Sequence, residues 1–167
     1  MSALAIAACA RVAEPPAPGA GTPGRYEFEG TWNAAGTRRT IPSGDGRTSA
    51  IVDLKGTMLL AGPGRPGVGF LCEVIALVDT ASGLTGRGVW TDDHGNQIFS
   101  ELSGQGTSAN NRIDGRIVGG TGKYAGATGT YAFSWEYVVE ENDGTIQGRA
   151  VGLAGSVTLG ATAAGKP

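Results

Sequence analysis

The stretch Ile117-Val118-Gly119-Gly120-Thr121-Gly122-Lys123-Tyr124-Ala125-Gly126-Ala127-Thr128-Gly129 decides how the rest of the chain is read. Five of its thirteen residues are glycine, and it separates two runs with strand-like alternation, Arg112–Val118 and Thr130–Val139. Glycine at that density lets the backbone take positive φ or approach another strand closely. A tight turn at the rim of an all-β structure needs that freedom.

Two phosphate-binding readings of the stretch fail on context. Gly120-Thr121-Gly122-Lys123-Tyr124-Ala125 has the spacing of the dinucleotide fingerprint, which needs a helix directly after it to present its N-terminus to the pyrophosphate. Here Tyr131, Phe133, Trp135 and Tyr137 follow at period two, which is a strand. A Walker loop needs glycine five positions before the Gly-Lys pair and Ser or Thr after it, where this chain has Ile117 and Tyr124. The stretch therefore implies no nucleotide cofactor.

Working outward, eight strand-like runs emerge: Arg25–Asn33, Thr48–Ala61, Gly69–Val78, Gly83–Thr91, Asn96–Leu102, Arg112–Val118, Gly129–Val139 and Thr145–Leu159. Their connections carry turn chemistry, as in Ser43-Gly44-Asp45-Gly46, Gly62-Pro63-Gly64, Asp93-His94-Gly95-Asn96 and Asn142-Asp143-Gly144. Eight short sequence-adjacent strands predict an all-β fold, an up-and-down antiparallel β-barrel, with a β-sandwich as the alternative. An eight-stranded barrel is wide enough to hold one small ligand. The division expected is a tether over 1–24, a barrel over 25–160 and a C-terminal tail over 161–167. Thirty glycines, eight prolines and 17% charged residues oppose a helical bundle, and a net charge of −2 gives no basic footprint for nucleic acid. The third run is largely apolar on both faces: Phe70, Cys72, Val74, Ala76 and Val78 alternate with Leu71, Glu73, Ile75 and Leu77. The surplus face predicts an oligomer interface or a covering terminal segment.

The pattern Ile-x-Gly-Gly-x-Gly-x-aromatic-x-Gly-Ala-x-Gly resembles the signature of the allene oxide cyclase and dirigent barrel superfamily. Upstream, Thr91–Phe99 is similar to the acidic, glycine-containing hairpin that precedes the signature there, and Arg25-Tyr26-Glu27-Phe28-Glu29 resembles the first strand, with its pocket-facing Glu-x-Asn pair. The likeness covers most of Arg25 to Leu159. It implies an eight-stranded barrel, a trimer, a small apolar or phenolic ligand and cyclisation or isomerisation steered by confinement. Carried onto this chain, it implies Glu27 as the catalytic carboxylate, with Glu29 at the family's Asn position, and Cys72 as a pocket cysteine.

The residues themselves leave these roles open. Glu27 and Glu29 are i, i+2 and share one face. Facing inward they would form a desolvated, like-charged pair suited to proton transfer; facing outward they would be the wet side of a strand. Glu73, Glu101 and Glu136 have the same ambiguity. Cys72 reads equally as a small buried hydrophobe. The stripe Tyr131, Phe133, Trp135, Tyr137 reads as packing before it reads as a substrate cage. His94 sits in a hairpin turn with Asp92 and Asp93, without EF-hand spacing. Two cysteines form no zinc framework, so no metal and no cofactor is assigned.

At the N-terminus, Ile6-Ala7-Ala8-Cys9 resembles a bacterial lipobox, with Cys9 as the lipidated residue and a Pro/Ala/Gly-rich stretch after it. That composition reads as an extended tether reaching about 45 Å at about 3.1 Å per residue. An envelope lipoprotein, or a secreted protein, is the localisation this implies, with the membrane touched only through the anchor. Three function classes follow: a ligand-binding barrel with or without cyclase activity, a lipid-anchored carrier, and a structural envelope protein.

Overall fold

The computed structural model describes residues 24–63, 65–106 and 111–160. Eight antiparallel strands follow one another around a closed barrel: β1 Gly24–Gly44, β2 Arg47–Gly62, β3 Arg65–Asp79, β4 Gly83–Thr91, β5 Gln97–Gly104, β6 Arg112–Gly120, β7 Thr128–Glu140 and β8 Thr145–Leu159. Pairing of β1 with β8, from Gly24↔Leu159 to Thr37↔Thr145, closes the ring. Closure leaves no free sheet edge to template aggregation. The expected up-and-down barrel is the fold.

The first strand is longer than its sequence suggests. It runs on through Ala34 and Gly36, which pair with Gly56 and Leu54 of β2 and with Gly148 and Ile146 of β8. Small residues, threonines and arginines carry little apolar alternation there, so the sequence reads as a connection. Pairing on both sides makes it a strand. The hairpin then turns at Asp45 and Gly46, with φ of 50° and 72°. Two successive positive φ values define the type I′ turn, whose twist matches that of the flanking strands.

Alternation sorts the side chains. Inward positions hold the core, including Trp32, Val52, Cys72, Trp90, Ile98, Ile117, Trp135 and Ile146. All three tryptophans and the β7 stripe of Tyr131, Phe133 and Trp135 lie inside, with Trp32 and Trp135 rings 5.1 Å apart and Trp90 and Tyr131 rings 4.9 Å apart. Room for these rings comes from facing glycines. A Cβ on Gly115 would lie 2.1 Å from the Tyr131 ring. What remains at the centre is a void of about 10 Å³ bordered by Trp32, Met58, Cys72, Tyr131 and Phe133. The expectation of a central ligand chamber is thus overturned: aromatic rings fill the space that smaller inward side chains would have left open.

Outward positions hold the charges. Lys55–Glu73 at 2.8 Å, Arg87–Glu101 at 3.2 Å and Arg149–Glu136 at 2.9 Å are cross-strand ion pairs at mid-height, and Arg116 also binds Glu101. Apolar inside and charged outside is the inverse of a membrane-spanning barrel.

Candidate binding site at the barrel mouth

One end of the barrel gathers the β2–β3, β4–β5 and β6–β7 connections together with the start of β1 and the end of β8. The glycine-rich stretch forms the β6–β7 connection, with a single 3-10 turn at Gly122–Tyr124. Its backbone clasps the β4–β5 hairpin: Thr121 N donates to Gln97 O at 2.8 Å, and Gln97 N donates to Thr121 Oγ1 at 2.9 Å. Gly122 has φ of 54°, and a Cβ there would sit 1.8 Å from Asn96 Oδ1. Only glycine fits.

Asp92 ties this end together. Its side chain has no solvent exposure, and Lys123 Nζ lies 2.8 Å from Oδ2. Oδ1 accepts the backbone N–H groups of His94 at 2.9 Å and Asn96 at 2.8 Å, and Asn96 Nδ2 donates to Oδ2 at 3.1 Å. Burial pushes this carboxyl upward, but the Lys123, Asn96 and His94 donors outweigh it and hold Asp92 well below the usual carboxylate range. Lys123 feels the same balance: burial lowers it, the Asp92 carboxylate and the neighbouring Tyr124 hydroxyl together outweigh that, and it rises. Asp92, Asp93 and His94 bring ligand atoms close together, but the Lys123 ammonium already occupies the cation position beside Asp92. His94 lies on the solvated turn, with Nδ1 2.6 Å from Asp93.

Adjoining this clamp through Tyr124, the side chains of Tyr26, Phe28, Phe70, Trp90, Tyr124 and Leu159 line an apolar recess of about 130 Å³ at the mouth. Phe70 and Tyr124 rings stand 5.9 Å apart, and Phe28 and Phe70 each pack against Trp90, at 6.2 and 6.1 Å. Burial raises the Tyr124 hydroxyl above its ordinary value, with Lys123 pulling the other way. Val68 forms an exposed lip. An apolar cavity of about 150 Å³ takes up benzene in a well-studied case, so this recess is of the size of a single ring.

The predicted site residues do not meet here. Glu27 and Glu29 point outward, and Glu27 is 62% exposed in an ion pair with Arg25 at 3.1 Å. The inward placement of these two carboxylates on the barrel lining is therefore corrected. A strand has one register, and burying Phe28 between them turns both carboxylates to solvent. Glu27 reaches the recess only at its rim. Glu73, Glu101 and Glu136 are outward as well. Cys72 does face inward, but toward the filled centre. Burial, followed by the neighbouring Glu73 charge, pushes its thiol far above the usual range, leaving a buried hydrophobe and not a nucleophile.

Sequence reasoning missed the Asp92–Lys123 clamp. Its signal was present in Asp92-Asp93-His94-Gly95-Asn96, where an aspartate opening a turn accepts backbone N–H groups, but the lysine partner stands thirty-one positions away in a different connection. Cys9 and the lipobox-like segment lie outside the described residues, as does the C-terminal tail. No protein-family model matches the chain, and no curated protein and no solved structure matches it significantly.

Proposed function

We propose that this barrel binds a small apolar or phenolic molecule, and that it does so at the mouth and not at the centre. The observation that carries the reading is the aromatic recess of about 130 Å³, whose Tyr124 wall lies against the Lys123 ammonium of the Asp92–Lys123 ion pair. An apolar hollow with few polar groups is the general form of a small-molecule site. The resemblance of the glycine-rich stretch to allene oxide cyclases points to the same ligand class. Binding without catalysis is favoured over cyclisation or isomerisation, because Glu27 is solvated and the buried Cys72 is held as a thiol. A lipid anchor at Cys9 would suit such a carrier to the bacterial envelope.

The test is titration of p-cresol, one phenolic ring, into the protein while following tryptophan fluorescence, since Trp90 floors the recess. Val68→Trp should obstruct the mouth from its exposed lip and weaken binding at least tenfold with the fold intact. Glu27→Gln should leave affinity within about twofold. Equal binding by the parent and Val68→Trp would remove the mouth from consideration; a large loss in Glu27→Gln would restore the carboxylate to the site.

A further inference from the structure

The outer wall is charged around most of its girth, but the β2–β3 face is not. There Ile51, Leu59, Leu71, Ile75 and Leu77 are each between 41% and 62% exposed, around a single ion pair, Lys55–Glu73. Strand register arranges them in rows. Lys55 stands opposite Glu73, Ile51 opposite Leu77, and Leu59 opposite Gly69, where a Cβ would meet nothing within 4 Å. On the flanking strands, Ala35 is level with Lys55, and Val89 with Glu73.

We infer that this face is the interface of a symmetric dimer, its occupant being a second copy of the chain. In such a dimer the two-fold axis lies in the contact plane, and its limiting orientations run across the strands or along them. An axis across the strands at the level of the ion pair, the centre of the apolar rows, sets Lys55 on Lys55 and Glu73 on Glu73, which opposes like charges. An axis along the strands, passing between Lys55 and Glu73, lays β2 of one copy over β3 of the other. Lys55 then meets Glu73 of the second copy, twice over by symmetry. Ile51 meets Leu77, Ala35 meets Val89, and Leu59 enters the open space over Gly69. Asp53 lands on Ile75, beside which Arg87 stands in register to receive it. Charge and shape therefore favour the axis along the strands, with the strands of the two copies running nearly parallel at the centre of the contact. A three-fold ring would set this face against a different surface and lose the reciprocal pairing.

Charge-swapped partners give the test. Sedimentation of the parent chain should report twice the mass of one chain. Lys55→Glu alone and Glu73→Lys alone should each weaken dimerisation by more than about tenfold, because each opposes like charges across the interface. Circular dichroism should show both still folded, as both positions are solvent-exposed. Mixed in equal amounts, the two variants should form heterodimers, since glutamate at position 55 then meets lysine at position 73. Ile75→Arg should also be monomeric. A monomeric or trimeric parent, a dimer indifferent to these swaps, or variants that stay monomeric when mixed would each overturn the interface.

Discussion

Asp92 shows how a single side chain organises an end of this barrel. A buried carboxylate survives only with donors on it, and here three are uncharged N–H groups and one is the Lys123 ammonium. Asp92→Asn keeps the shape but strands the lysine charge, so it should cost about 2 kcal/mol, within the range for hydrogen bonds to charged groups, read from urea denaturation. The pH dependence has a definite sign. The folded-state value of Asp92 is depressed below the roughly 3.9 of an unfolded Asp. Its contribution is therefore full above that unfolded value and is lost as pH falls through the depressed one. Asp79 behaves likewise: the Ser49 hydroxyl, then the Ala81 and Ser82 backbone N–H groups, hold it at about 2. Stability should accordingly fall from about pH 4 downward, and Asp92→Asn should flatten that fall in denaturation midpoints taken across the range. Cys72 yields a second residue-scale outcome. With Cys9 replaced by serine, a thiol reagent should label Cys72 only at the rate of global unfolding, because the sulfur is buried and protonated.

At the scale of elements, the β6–β7 connection is the part of the fold that depends most on residue type. Gly122→Ala meets both a positive φ and the Asn96 side chain, whereas Gly126, with φ of 70°, faces open space. Gly126→Ala should cost roughly 1–2 kcal/mol from the left-handed backbone alone, and Gly122→Ala clearly more, with the difference read from thermal unfolding. The contrast separates backbone strain from steric clash. The strands themselves were legible because aromatic and β-branched residues alternate between glycine-rich turns. Strand facing was not legible where both faces could be justified. On β1 the choice lay between burying Phe28 and burying Glu27 with Glu29, and it is settled by ring packing against Trp90 from β4, a partner some sixty residues away. The run from Ala34 to Ile41 was invisible for the opposite reason: its residues carry little apolar alternation, and it is a strand because β2 pairs along its whole length and β8 as far as Thr37. The Asp92–Lys123 clamp joins two connections and has no local sequence signature beyond the turn-opening aspartate.

At the scale of the whole molecule, the barrel is closed around a filled centre, which leaves no room there for a small molecule. Tyr131 donating to Ser100 Oγ at 2.9 Å, with Ser100 donating on to Gly88 O at 3.4 Å, marks the polar heart of that core. Tyr131→Phe should cost about 1 kcal/mol, the net worth of one hydrogen bond, and in urea denaturation should leave the steepness of the transition unchanged, since the surface exposed on unfolding stays the same. Filling the centre with rings stabilises the fold and excludes a ligand from it; the mouth recess is where aromatic surface meets solvent. Amide chemical-shift mapping of a p-cresol titration tests this most directly. Shifts clustered at Tyr26, Phe28, Phe70, Trp90, Tyr124 and Leu159 are the predicted result. Shifts confined to the outer wall, or strongest at Cys72, Met58 and Phe133 around the centre, would contradict it.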